Sequence, residues 1–248
     1  MITQYYRPQT LEEALKLLSQ PDTFPLGGGT ALTQRRDESF SVVDLQALSL
    51  DKLHKSGDNL EIGATVTLQN LLESPYTSNA LKTAIELEAP LNLRTMGTVA
   101  GTVVTCDGRS SFGAVILALD AKCTLVNDMS SAIISLGNLL PLRGELLHSK
   151  LITCIEIPLN VKLAIETVAR TPLDKPIVCV ALAQWPSGRT RLALGGWGQT
   201  PTLAMDGNES SGLQEAARNA AYEAADEWAS AEYRREIAGV LARRCLEK

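Results

Sequence analysis

The sequence predicts an α+β chain, with strands early and a helical tail, and three observations carry that prediction. Thr10 with Glu13 three residues on forms a capping box, and Leu11, Ala14, Leu15 and Leu18 follow at helical spacing. Residues 41–45 (SVVDL) and 59–64 (NLEIGA) are short apolar runs of strand type. Residues 177–184 and 189–195 are two further strand candidates joined by Trp185-Pro186-Ser187-Gly188, a hairpin-like connection ahead of a helical remainder.

In chain order, the first helix ends near Pro21. The apolar run Phe24 to Leu26 then feeds into Gly27-Gly28-Gly29-Thr30, with a helix start expected at Ala31. The polar stretch Lys55-Ser56-Gly57-Asp58 separates the next two strands, and a first boundary is placed there, giving a part of residues 1–56. Residues 67–72 and 78–89 read as helices, the second stopped by Pro90. Residues 98–104 are β-branched and punctuated by glycine, which predicts a strand with a close backbone approach. A buried helix at 111–119 and strands at 122–126 and 151–157 follow, the last closed by Pro158. These complete a second part, 57–160. In the third part, 161–248, an alanine-rich helix is expected over 213–229. Ser230 then caps a last helix with Tyr233, Ile237, Val240, Leu241 and Cys245 on one face.

At 248 residues, 45% hydrophobic and 21% charged, the chain has an ordinary globular composition with room for a sizeable core. A formal net charge of −5 and the lack of a basic run argue against a nucleic-acid surface. The longest apolar stretches, such as 113–121, are too short to span a bilayer. The opening MITQYYRPQT has no signal-peptide layout, so a cytoplasmic protein without a membrane partner is expected. Five scattered cysteines (Cys106, Cys123, Cys154, Cys179, Cys245) read as reduced, mostly buried thiols. With only His54 and His148 to add imidazoles, and both in loop-like contexts, no metal site is expected. Redox chemistry here would need an organic cofactor.

Two glycine segments stand out. Gly27 to Thr30 lacks side chains that would keep an anion away, and successive N–H groups can converge on a pyrophosphate. The spacing is not that of a Rossmann fingerprint, and a tight turn needing positive φ is the competing reading. Arg94-Thr95-Met96-Gly97-Thr98-Val99-Ala100-Gly101-Thr102 offers an arginine, three threonine hydroxyls and two glycines, which suits a phosphate and sugar site; a bulged strand is its competitor. Glu86 and Glu88, two apart on one helix, share no face and read as solvated. No nucleophile signature is present.

In this order, about seventy residues apart, the two segments resemble the FAD-binding subunits of molybdenum hydroxylases of the xanthine and carbon monoxide dehydrogenase type. Tyr6-Arg7-Pro8 with Leu11-Glu12-Glu13-Ala14, Leu60 to Ala64 with Thr67, Ala118-Leu119-Asp120-Ala121, Ile155 to Pro158 and Ser230 to Arg235 (SAEYRR) extend the resemblance over nearly the whole chain. It implies a two-part α/β FAD-binding domain of the PCMH (vanillyl-alcohol oxidase-like) type, then a C-terminal domain of antiparallel sheet plus helices. It also implies a flavoprotein oxidoreductase subunit with FAD as cofactor and no catalytic residue of its own. The expected cofactor-binding residues are Pro25, Leu26, Gly27, Gly28, Gly29, Thr30, Ala31, Leu32, Thr98, Gly101, Thr102, Ser111 and Ile152. The implied partners are an iron–sulfur subunit that supplies electrons and a molybdopterin subunit that hydroxylates the substrate.

The chain departs from the family pattern where the flavin is held. Gly-Gly-Asn becomes Ala100-Gly101-Thr102, an aspartate becomes Ser111, and Glu166 aligns with a family lysine. Two readings follow: an electron-transfer flavoprotein with a loosened FAD site, and a flavinless relative that acts as a scaffold. Saturable FAD binding separates them.

Overall fold

The computed structural model describes residues 1–34, 38–172 and 174–248, and the chain forms two compact units. Residues 1–74, 91–105 and 122–156 make the first, and residues 75–90, 106–121 and 157–248 the second.

The first unit holds two sheets. Strands β1 (Ile2–Tyr6), β2 (Thr23–Leu26) and β3 (Phe40–Asp44) form a parallel sheet in the order β1-β3-β2. Parallel strands need a crossover, and the Leu11–Leu18 helix supplies the first. Its capping box is built with one displacement. The Thr10 hydroxyl accepts the Glu13 N–H at 3.2 Å, while the Glu13 carboxylate reaches the N–H of Gln9 at 3.1 Å. The helix buries Ala14, Leu15 and Leu18 with Val43, Leu45 and Leu151. Pro25 sits on edge strand β2, where its missing N–H breaks no ladder.

The second sheet runs β4 (Leu53–Ser56), β5 (Asn59–Gly63), β8 (Leu151–Pro158), β6 (Lys122–Val126), β7 (Ser131–Ser135) in spatial order. The stretch Lys55 to Asp58, expected to separate two strands, closes a hairpin in which Ser56 pairs with Asn59 and Gly57 takes φ +59°. Sequence reading missed β4, which has no apolar run, and β7, whose run Ala132-Ile133-Ile134 is only three residues long.

One expected strand is a helix. Residues Val99–Thr105 are helical despite their valines and threonines, because Thr98 caps them. Its hydroxyl accepts the Gly101 N–H at 3.1 Å, the Val99 N–H bonds Val66 O at 2.8 Å, and Val99, Ala100 and Val103 are buried. Tertiary burial outweighs β-propensity here.

The second unit is an antiparallel sheet, β9 (Lys162–Val168), β10 (Val178–Gln184), β11 (Thr190–Gly195) and β12 (Thr202–Gly207), in the order β12-β11-β10-β9. The expected hairpin joins β10 to β11, with Gly188 at φ +92°. Helices Leu213–Ala220 and Ala231–Glu247 close its core. The first ends nine residues sooner than expected. In the last helix the buried residues are Arg234, Ala238, Gly239, Leu241, Ala242 and Cys245, whereas Tyr233 is exposed, so the predicted apolar face is only partly the one used. Arg234 takes a core position because its guanidinium is fully bonded: to the carbonyls of Ile177, Ala224 and Gly196 and to both oxygens of Asp226.

Glu88 also corrects an expectation. At the end of the Asn79–Glu88 helix its carboxylate accepts the Ser110 hydroxyl at 2.8 Å and the Phe112 N–H at 3.0 Å, so it caps the Ser111–Ala118 helix rather than facing water. Among the described residues no helix is long and apolar enough to cross a membrane. The alternation of strands and helices in the first unit, followed by antiparallel sheet plus helices, is the α+β architecture expected from the sequence.

Candidate functional site

The first unit brings the two glycine segments together. Gly27 follows edge strand β2, and a Cβ on it would lie 2.9 Å from the Thr98 hydroxyl. A Cβ on Gly28 would lie 1.7 Å from the Met96 carbonyl oxygen, inside any permitted contact. Gly29 takes φ +72°, a conformation that glycine adopts without strain. On the other side, Gly101 faces Thr98, with 2.8 Å between its built Cβ and the same hydroxyl. Gly97 meets Thr30 and the Leu93 carbonyl. Gly28 is therefore required by close backbone packing and Gly29 by its positive φ, as the tight-turn reading expected, while Gly27 and Gly101 lie against the Thr98 side chain, so both segments belong to one piece of structure.

What this packing leaves open is a row of donors. The backbone N–H groups from Gly27 to Leu32 donate to no carbonyl or side chain among the described residues, and all six residues are half-buried. The chain after the loop makes a single turn, closed by the Thr33 N–H on Gly29 O at 3.0 Å, where a helix was expected from Ala31. A turn gives these N–H groups no carbonyl four residues back to bond. Six successive half-buried N–H groups without a partner, three of them on glycines, are a donor set that fits a diphosphate. The FAD pyrophosphate is therefore compatible with the residues present.

The other expected residues divide. Thr102 bonds its hydroxyl back to Thr98 O at 2.9 Å, so its proton is already committed. Ala100, which replaces a family glycine, is 8% exposed and turns its methyl into the core, where it takes no space from the loop. Pro25 and Leu26 lead into the loop on β2. Ile152 is 3% exposed in β8, opposite Leu125, and is not among the groups that crowd the loop glycines. Ser111 lies in the second unit, 1% exposed, its hydroxyl without a conventional hydrogen-bond partner beside the Cys179 thiol. Glu166 pairs with Lys248 at 2.5 Å, so its carboxylate is matched within its own unit. Sequence reasoning missed Met96 and Gly97 as walls of the loop, although Gly97 stood within the quoted segment.

The chain offers little chemistry of its own. Burial pushes the thiols of Cys123, Cys179 and Cys245 up to about 12, so none supplies a thiolate near neutral pH. All five cysteines are free, and no metal-holding cluster of His, Cys, Asp or Glu occurs among the described residues. A site of backbone donors and threonine hydroxyls binds and orients; a bound cofactor must carry any redox step.

Comparison with known proteins agrees with this geometry. Residues 1–160 match the family described as the FAD binding domain in molybdopterin dehydrogenase. The uncharacterized protein YgfM of Escherichia coli is 28% identical over 97% of this chain and 94% of its own length. The glyceraldehyde dehydrogenase medium chain of Sulfolobus acidocaldarius is 28% identical over 82% of this chain and 78% of its own. Among solved structures, the reconstituted CO dehydrogenase from Oligotropha carboxidovorans superposes with a TM-score of 0.84 at 25% identity, over 98% of this chain and 96% of that one. With residues 1–160 matching the family, the chain belongs to the FAD-binding domains of molybdopterin dehydrogenases and is an oxidoreductase subunit with FAD as its cofactor.

Proposed function

We propose that this chain is the electron-transfer subunit of a molybdenum hydroxylase complex, receiving electrons from an iron–sulfur subunit and passing them to an external acceptor. The observation that carries the cofactor half of this reading is the run of unpaired N–H groups from Gly27 to Leu32, packed against Met96, Gly97 and Thr98. These groups would hold the FAD pyrophosphate, with Thr30 adding a hydroxyl and Pro25 and Leu26 fixing the direction of entry. Gly101, exposed at the start of the Val99–Thr105 helix, would leave room for the cofactor beside Thr98. When bound, FAD supplies the electron-accepting and electron-donating centre that the side chains lack.

Ser111 and Ile152 stay in the proposal as residues that shape the surroundings. Both are buried. The partner half rests on likeness to medium chains of multi-subunit dehydrogenases. Five free thiols suit a reducing, cytoplasmic setting. The three consecutive parts 1–56, 57–160 and 161–248 remain a proposal, with the first boundary falling inside the β4–β5 hairpin.

The scaffold reading is less favoured, because a protein freed from cofactor binding needs no row of open donors. ADP carries the diphosphate without the flavin, so it separates anchorage at the loop from anchorage at the ring. Displacement of FAD by ADP, with loss of both in Gly27→Val, supports the loop assignment. FAD binding that ADP cannot displace contradicts it. Co-purification with co-expressed iron–sulfur and molybdopterin subunits tests the partner half.

A further inference from the structure

The ten residues between the last two helices end in an arrangement that the FAD site does not use. Arg234 is 0% exposed, and its guanidinium holds both oxygens of Asp226 at 2.8 and 2.9 Å. Asp226 in turn accepts the N–H groups of Trp228 at 2.8 Å and Ala229 at 3.2 Å. A buried cation thus fixes an irregular surface loop, and the residue it sets in place is a tryptophan that remains 37% exposed.

Two arginines stack on that indole. The Arg109 guanidinium lies 4.4 Å and the Arg170 guanidinium 4.7 Å from the ring centroid. Both guanidinium groups therefore lie within cation–π reach of the same indole. Arg109 is itself anchored, with Nε on Pro176 O at 3.0 Å and Nη2 on Lys175 O at 2.5 Å. Neither guanidinium has a carboxylate partner among the described residues. Of the nearby acids, Asp107 pairs with Lys175 at 2.7 Å, Asp226 with Arg234, and Asp174 accepts the Thr171 N–H at 3.2 Å, while Glu223 and Glu227 are the exposed acids of the loop.

Tryptophan and arginine are the residues that dominate binding energy at protein interfaces, and they do so best when held in place beforehand. What remains to be satisfied is the donor capacity of two separated guanidinium forks, which match carboxylates two at a time. Guanidinium groups carried on separate segments of the chain, at residues 109 and 170, can each take a carboxylate from successive acidic side chains of a peptide. We propose that Arg109, Trp228 and Arg170 form a docking site for an acidic segment of a partner protein. The site is independent of FAD binding and would survive the failure of that reading.

The test uses the full-length chain and a fluorescein-labelled octaglutamate peptide, followed by anisotropy at low salt. Saturable binding is expected, weakened about tenfold by Arg170→Gln, the loss of one charge-assisted contact. Trp228→Leu weakens it too, and added salt at roughly 0.3 M suppresses it. Arg170 is exposed and makes no other contact among the described residues, so Arg170→Gln folds like the parent, as far-UV circular dichroism checks. Lys16→Gln, on an exposed turn of the first helix, leaves binding unchanged. No saturable binding by the parent chain, or equal binding by parent and Arg170→Gln, overturns the proposal. Displacement of the peptide by inorganic phosphate at equal charge concentration overturns its assignment to carboxylates.

Discussion

Gly28 faces the backbone of Met96 so closely that a Cβ at position 28 would stand 1.7 Å from the Met96 carbonyl oxygen. This one contact locks the first glycine loop to the segment before the Val99–Thr105 helix, beside the proposed diphosphate site. In Gly28→Ala the loop must shift, and at least one N–H then loses its line to a phosphate oxygen. A hydrogen bond to a charged group contributes about 1.5–3 kcal/mol, so FAD affinity falls at least roughly tenfold. Gly144→Ala, with open space around the new methyl, leaves affinity unchanged. Titration of both variants with FAD checks the contrast.

Thr98 serves both the fold and the cradle. Its hydroxyl accepts the Gly101 N–H, and Thr98→Val deletes that acceptor at nearly constant volume. The expected loss is about 1 kcal/mol of stability, with Thr98→Ser recovering most of it. Urea unfolding of the three proteins reads the difference directly.

Arg234 carries the largest predicted structural effect. Arg234→Met leaves Asp226 without its partner and three carbonyls without a donor, which costs about 3–5 kcal/mol. Arg234→Lys does not rescue it, since an ammonium cannot reach the same acceptors with a planar fork. A chemical-denaturation midpoint close to that of the parent would contradict the network.

Glu88 gives a pH dependence with a definite sign. Burial of its carboxyl end raises the pKa, against the Ser110 and Phe112 hydrogen bonds that favour the charged form. A raised folded-state pKa means that the contribution is full below the ordinary carboxylate range and is lost as pH rises through the folded value. Glu88→Gln keeps both acceptor contacts through its amide oxygen and has nothing to ionise. The stability of Glu88→Gln relative to the parent therefore increases from pH 4 to pH 7.5. Two parallel curves across that range would refute the assignment.

The parts of this fold that were legible in the sequence are those whose signals are local. Thr10 and Glu13 announced a helix, and Trp185 to Gly188 announced a hairpin, because capping and turn chemistry act within a few residues. Residues 98–104 were misread because their valines carry β-propensity, while the decisive contacts, Val99 with Val66 and the burial of Val103, come from elsewhere in the chain. The same holds for β9, whose strand character comes from pairing with β10 along its length. Glu88 was read as solvated and Arg234 only as part of the SAEYRR resemblance, since nothing within a helix reveals that distant carbonyls or N–H groups will meet a charge. For the site, Gly27 to Thr30 and Thr98 were legible from residue type. Their convergence, and the role of Met96, depend on packing.

The central claim is that the loop from Gly27 to Leu32 holds FAD by its diphosphate. Its most direct test is equilibrium titration of the purified, folded chain with FAD, read by quenching of flavin fluorescence, with Gly28→Val measured alongside. The account predicts saturable one-to-one binding to the parent chain, competed by ADP and abolished in Gly28→Val while circular dichroism still reports a folded helical tail. A well-folded parent chain that leaves FAD unbound, or a Gly28→Val variant that binds it as well as the parent, would contradict it.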